Sequence, residues 1–66
     1  MIMRFFVGQR WISADGARHG TVTEISDDGR SGVVVIEDTM EHYVDVFRGA
    51  VAALQSADNW RVVAQA

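Results

Sequence analysis

The sequence contains no cysteine, no lysine and no apolar run of twenty residues. Without cysteine the chain can form neither a disulfide nor a thiolate zinc site. Without a long apolar span no segment is suited to cross a membrane as a helix, and no small-residue cleavage site follows the short apolar start. We therefore expect an intracellular, cytoplasmic protein.

The 66 residues are enough for one domain, which we expect to span residues 1–66. A chain this short buries only about 60% of the surface that its unfolded form exposes. Small domains therefore usually need a disulfide, a metal or a subunit partner. Because cysteine is absent, self-association is the most available of the three, and a homo-oligomer is one expectation.

The two histidines do not suggest a metal site. His19 lies alone in a loop flanked by glycines, and strand alternation places His42 on the opposite face from Glu41 and Asp45. The four serines lie where turns or helix caps need them, and no cysteine nucleophile is available. We expect no catalytic residue, no metal and no cofactor.

The charge is unfavourable for a general nucleic-acid binder. The chain has nine acidic and six basic residues, all six of them arginine, and a net charge of −3. Proteins that bind duplexes usually carry a basic face that releases counterions from the phosphates. Four of the acids fall close together, at Glu37, Asp38, Glu41 and Asp45. This balance favours a protein partner over a nucleic acid.

Short strands separated by turns account for most of the chain. The expected strands are residues 5–12 with a bend at Gly8, Thr21–Ile25, residues 32–37 with their β-branched run Val33–Ile36, residues 41–47 and a last strand from Trp60. The segment Asp27–Arg30 predicts a tight hairpin turn because Asp-Gly readily adopts positive φ. Residues 38–40 predict the next turn. The pattern indicates a small, closed or nearly closed all-β barrel.

One short helix or 3₁₀ segment is expected before the last strand. The alanine-rich run after Gly49 consists of good helix formers, and Val51 and Leu54 share a face. Gly49 is a reasonable N-cap, and Asn59 is suited to the left-handed position that ends a helix.

The fourth strand alternates, which predicts two faces. His42, Val44 and Val46 form the set expected on the core, and Glu41, Tyr43, Asp45 and Phe47 form the set expected in solvent. Exposed neighbouring aromatic residues tend to mark an interface, either with a partner or with an identical chain.

The segment Gly8–Ser13, Gly-Gln-Arg-Trp-Ile-Ser, followed after a loop by Gly20-Thr21-Val22, resembles a known family. It is similar to the Tudor-like domains at the N-terminus of bacterial RNA-polymerase-recycling, helicase-like ATPases. The resemblance implies an SH3-like barrel of about five strands that contacts RNA polymerase, a nucleic acid or another protein. The motor domains of those ATPases are absent, so the resemblance implies no ATPase activity.

A weaker resemblance involves Val44–Phe47 and Val51–Leu54, which echo the order of two segments in type II dihydrofolate reductases, small SH3-like tetramers. At the positions of that family's Gln and Tyr this chain has Asp45 and Phe47. A carboxylate there would repel the phosphates of NADPH, and no lysine is present to bind them. That activity remains a remote alternative.

The candidate binding residues are Arg10, Trp11, Arg18, Tyr43, Asp45 and Phe47, together with the loop 13–20. Trp11 either closes the core or contributes to a contact surface, whereas Trp60 is expected in the core. Tyr43, Asp45, Phe47 and Trp11 are the residue types of a cage for a cation. Arg10 and Arg18 beside Trp11 are the alternative, a site that stacks on a base or nucleotide.

Overall fold

The computed structural model describes residues 4–63, with the backbone alone for residues 57 and 58. The elements in chain order are β1 (Arg10–Ile12), β2 (Arg18–Ile25), β3 (Ser31–Asp38), β4 (Tyr43–Ala50), α1 (Val51–Asp58) and β5 (Arg61–Val62). The strands form one antiparallel sheet in the order β4-β3-β2-β1-β5. This confirms the predicted mainly β class, with five strands and one short helix before the last of them.

The first strand is shorter than predicted because its first half is a turn. The amide of Gln9 donates to the carbonyl oxygen of Phe6 at 2.9 Å, and Gly8 between them has φ +87°. Positive φ at the third position of a four-residue turn is the mark of a type II turn, which favours glycine there. Strand β1 therefore begins only at Arg10.

The second strand is longer than predicted. Strand β2 begins at Arg18 rather than Thr21, so the expected loop 13–20 shrinks to residues 13–17. A register shift between Val22 and Glu24 marks a β-bulge in the β2–β3 ladder. Strands β3 and β4, by contrast, pair without a shift over the whole of β4.

The core lies on one face of the sheet, here called the core face, and the opposite side is called the outer face. The buried apolar residues are Phe5, Trp11, Val22, Val34, Ile36, Val51, Leu54 and Trp60. Val51 and Leu54 are spaced so that α1 presents both to the core. The helix ends at Asp58, and the C-cap residue Asn59 has φ 52° and ψ 43°, which confirms the predicted left-handed cap.

The N-cap of α1 is Ala50, not Gly49 as predicted. Gly49 lies inside β4 opposite Gly32. A Cβ atom on Gly32 would lie 2.5 Å from the carbonyl oxygen of Glu24. A larger side chain at position 32 would therefore clash with strand β2. Strand β4 ends at Ala50 and α1 begins at Val51, so no loop separates them.

The predicted alternation of β4 is present, but its two faces are inverted. Phe47 pairs with the fully buried Val34 and packs against the core. Val44 and Val46, expected in the core, are 64% and 45% exposed on the outer face. The assignment was wrong because a phenyl ring buries more apolar area than a valine, and the register with Val34 selects the face that carries it.

Candidate interaction surface at strand β4

Trp11 lies in the core and is therefore not a contact residue, although the sequence made it a candidate. Its side chain is 0% exposed, and its ring meets that of Phe5 edge-on, with the centroids 5.7 Å apart. The indole Nε1–H donates to Oε1 of Gln9 at 2.9 Å. Of the two roles expected for Trp11, the structure supports core closure, and a fully buried ring offers no surface to a ligand.

Gln9 is a buried polar residue that the sequence reasoning missed. It is 7% exposed, and its Oε1 accepts from Trp11 and, at 3.4 Å, from the amide of Phe6. One amide side chain thus holds the indole and steadies the type II turn. The available signal was a glutamine two positions before a core tryptophan, which alternation places on the same face.

The structure does not bring Arg10 and Arg18 onto one face. Arg10 pairs with Thr21 on the exposed outer face. Arg18 lies on the core face, with its guanidinium carbon 5.4 Å from the ring centroid of Trp60. This is the distance of a cation–π contact, so Arg18 covers the edge of the core. The two arginines therefore do not form a joint basic site.

The segment after β1 and the β2–β3 turn share one motif, Ser-x-Asp-Gly. In the first, the Ser13 hydroxyl donates to Oδ1 of Asp15 at 2.6 Å, and the same Oδ1 accepts from the amide of Ala17. In the second, Ser26 donates to Asp28 at 2.8 Å and the amide of Arg30 donates to that carboxylate. Asx turns of this kind fix the backbone locally.

These hydrogen bonds lower the pKa of both carboxyl groups. For Asp15 the largest cause is the Ser13 hydroxyl, followed by the Ala17 amide. For Asp28 the largest cause is the Arg30 amide, followed by the Ser26 hydroxyl. A small cavity of about 120 Å³ adjoins Ser13, Ala14, Asp15 and Arg18. Because its serine and aspartate bond within the turn, we assign this loop a structural role.

Tyr43, Asp45 and Phe47 do share one face, as predicted, and it is the core face. Tyr43 is 43% exposed, Asp45 is exposed and Phe47 is half-buried. Asp45 pairs with Ile36, and Tyr43 pairs with Asp38 at the end of the hairpin. Since the core ends near Phe47, the first half of β4 extends beyond it and keeps Tyr43 and Asp45 accessible.

A cavity of about 350 Å³ lies at this end of the β3–β4 hairpin. Its lining residues are Glu37, Asp38, Thr39, His42, Tyr43 and Val44. The lining includes one carboxylate residue from each face of the hairpin, Glu37 beside Val44 on the outer face and Asp38 beside Tyr43 on the core face, which suits a cationic or hydrogen-bond-donating group at the hairpin end. Within residues 4–63 no three His, Asp or Glu side chains come together as a metal site. We refer to this feature as the hairpin cavity.

Hydrogen bonds to backbone groups hold the hairpin cavity in shape. Oδ1 of Asp38 accepts from the amides of Met40 and Glu41, both at 2.9 Å. The amide and the hydroxyl of Thr39 both donate to the carbonyl oxygen of Ala17, at 2.9 and 2.8 Å. His42 adopts φ +56°, which turns the chain into β4. Asp38 therefore combines a structural role with its place in the lining.

Among the strands of residues 4–63, β4 is also an edge of the sheet, since β3 is its one neighbour in the strand order. The amide of Val46 donates to Oδ1 of Asp45 at 2.8 Å instead of to β3. The amide of Val51, five residues further along, points to the opposite side and donates to the carbonyl oxygen of Arg30, the residue before β3. In an edge strand the backbone N–H and C=O groups of alternate residues point away from the sheet. Those of Val44, Val46 and Arg48 therefore point away from β3.

No family model matches the chain, and no curated protein or solved structure matches it significantly. Within residues 4–63 no helix is long and apolar enough to span a bilayer.

Proposed function

We propose that this chain is a non-catalytic protein-interaction module that binds an extended segment along the free edge of β4. The segment places a cationic side chain in the hairpin cavity. The observation that carries the proposal is the position of this cavity, which shares Tyr43 and Val44 with the edge strand. An extended ligand can therefore pair with the backbone and fill the cavity at once.

Charge and shape both support a basic segment. Glu37 and Asp38 line the cavity, and the chain carries a net charge of −3. The exposed side chains of Val44 and Val46 flank the edge and offer apolar contact to alternate residues of an added strand. A partner with alternating apolar residues and one arginine matches this surface.

The proposal also includes a cytoplasmic bacterial setting and an SH3-like, Tudor-like designation of the fold. Both come from the sequence expectations, as does the transcription machinery as one class of partner. A nucleic-acid role through Arg10 and Arg18 receives no support, since the two lie on opposite faces of the sheet. The reductase alternative has no observation in its favour. Asp45, on the exposed half of β4, is a carboxylate that would repel the phosphates of NADPH.

The test is a titration with a capped hexapeptide of alternating valine and threonine that carries one central arginine. A matched peptide has citrulline, which is neutral and nearly isosteric, in place of the arginine. We expect backbone amide shifts at Val44, Val46 and Arg48 with both peptides, and tighter binding of the arginine form. Glu37→Gln should weaken that form about fivefold, because a partly enclosed ion pair contributes about 1 kcal/mol.

Glu24→Gln is the matched control, since it removes the same charge from an exposed position outside the cavity lining. It should leave the preference for arginine unchanged. Tyr43→Ala should weaken both peptides by removing one wall of the cavity. Equal affinity for the arginine and citrulline peptides, or shifts confined to residues away from β4, would contradict the proposal.

A further inference from the structure

The free edge of β4 resembles the ligand that it is proposed to bind. The strand is eight residues long, pairs with β3 without a bulge, and contains neither lysine nor proline. Edges of this kind are open to pairing with another strand. We infer that the extended segment is β4 of a second copy, so that two chains form a symmetric dimer. This inference rests on the proposed function of the β4 surface.

The backbone restricts how two β4 strands can pair. Antiparallel strands related by a two-fold axis place a chosen residue opposite itself. If Val46 lies on the axis, its outward amide and carbonyl groups exchange hydrogen bonds with the same groups of the second copy. Val44 then lies opposite Arg48 of the second copy, and both belong to the outward-facing set.

Charge complementarity favours this register. Within one chain Glu37 is the β3 neighbour of Val44 on the outer face. With Val46 on the axis, Arg48 of the second copy lies beside Val44 and within reach of Glu37, which lines the hairpin cavity. The second copy therefore supplies the cationic side chain, and symmetry creates two such contacts for each dimer.

Other registers lack this match. An axis at Asp45 or at Arg48 places like charges opposite each other, which is destabilising. An axis at Phe47 places Arg48 of the second copy beside Val46, whose β3 neighbour is Val35, two residues away from Glu37.

Exposed apolar side chains supply an independent reason for pairing. Val44 and Val46 on the edge are 64% and 45% exposed. Pairing at β4 hides both polar edges and covers part of these side chains.

Asp45 opposes the pairing. Its Oδ1 accepts from the Val46 amide at 2.8 Å, and that amide is the donor needed at the two-fold axis. The carboxylate must release the amide before two edges join, so Asp45→Ala should tighten the dimer.

The experiment is sedimentation equilibrium of the full chain and of two single variants over a dilution series. In a dimer of the Arg48→Glu variant, Glu37 of each copy faces a glutamate of the other copy. In a dimer of the Glu37→Arg variant, Arg48 of each copy faces an arginine of the other copy. Each variant alone should dimerise at least about tenfold more weakly than the unchanged chain. An equimolar mixture of the two should form a heterodimer of nearly the original affinity, since both contacts are then of opposite charge.

Arg10→Glu is the matched control, because it makes the same charge change on an exposed strand away from β4. It should leave the dimer intact. Val46→Pro removes the outward amide at the axis without removing a β3–β4 ladder bond, and it should give a monomer. Circular dichroism of every variant checks that the sheet is retained.

A wild-type chain that stays monomeric throughout the series overturns the inference, and so does a Val46→Pro variant that remains dimeric. A mixture of the charge variants that fails to dimerise overturns the assigned register. The peptide titration separates the two proposals. A monomer that prefers the arginine peptide keeps the interaction module and removes the second copy, whereas a monomer with no such preference removes both.

Discussion

The hydrogen bond between Gln9 and Trp11 provides a sharp test of how the core is held. Replacing Gln9 by methionine keeps the length of the side chain but removes the acceptor at 2.9 Å from the buried indole Nε1–H. The indole is 0% exposed, so water cannot take the place of the lost acceptor without rearrangement of the core. The second bond of Gln9, to the amide of Phe6 at 3.4 Å, is lost as well.

A buried donor left without a partner costs about 1–3 kcal/mol, and we take about 2 kcal/mol for the Gln9→Met variant. For a domain of this size each kcal/mol lowers the melting temperature by about 4–8 °C, so the expected decrease is about 8–16 °C. The 3.4 Å bond is long and contributes little to this figure. The loss should appear in the free energy of unfolding measured by urea titration and circular dichroism.

A double-mutant cycle with Trp11→Phe isolates the hydrogen bond, because phenylalanine has no N–H to leave unsatisfied. Gln9→Met should cost much less in the Trp11→Phe background than in the unchanged chain. An equal cost in the two backgrounds would show that Gln9 acts through packing or through the turn, and would refute the assigned role of the indole bond.

Two further predictions concern glycines and carboxylates. Gly20→Ala should cost about 1–3 kcal/mol by overpacking, since its Cβ would lie 2.7 Å from Cγ1 of Val34, and Val34→Ala should relieve part of that cost. Gly8→Ala meets open space but forces an alanine to φ +87°, so it should cost about 1–2 kcal/mol that no second substitution relieves; equal relief of both variants would contradict this distinction. Because the pKa of Asp15 and of Asp28 is lowered on folding, their stabilisation is full above the ordinary value of 3.8 and is lost as pH falls through the lower folded values. Asp15→Asn with Asp28→Asn should therefore flatten the acid side of a melting-temperature profile, and a profile as steep as that of the unchanged chain would contradict the assignment.

Much of the fold follows from local chemistry that the sequence makes visible. The β-branched run Val33–Ile36 lies inside β3, and Asn59 ends α1 in the predicted left-handed conformation. Trp60 is buried, as expected for an indole in a small domain. Each of these depends on one residue type and its close neighbours, which is why the sequence suffices.

The faces of β4 depend on information that a single strand does not contain. A period of two separates Val44 and Val46 from Phe47, but it does not say which set meets the core. The pairing of Phe47 with Val34 decides the matter, and that register arises from the whole hairpin. The placement of Arg10 and Arg18 on opposite faces of the sheet likewise depends on the register between strands, which a single strand does not reveal.

The candidate site was predictable in part. Tyr43 and Asp45 are accessible on one strand, as expected, whereas Trp11 belongs to the core. The hairpin cavity could not be predicted, because it needs Glu37 from one strand beside Val44 from the next. Gln9 was missed because a glutamine is usually exposed, and only its indole partner explains its burial.

The unequal lengths of the strands imply that the sheet does not open all at once. Strand β5 is two residues long and β1 is three, whereas β2, β3 and β4 each have eight. Short pairings open at a lower free energy than long ones, so amide protons of β5 should exchange with solvent before those of β3. Trp60 immediately precedes β5, while Trp11 is held by Gln9 and the Phe5 ring. We therefore expect the two tryptophans to respond to different events, Trp60 to local opening next to β5 and Trp11, whose indole is held by Gln9, to unfolding of the core.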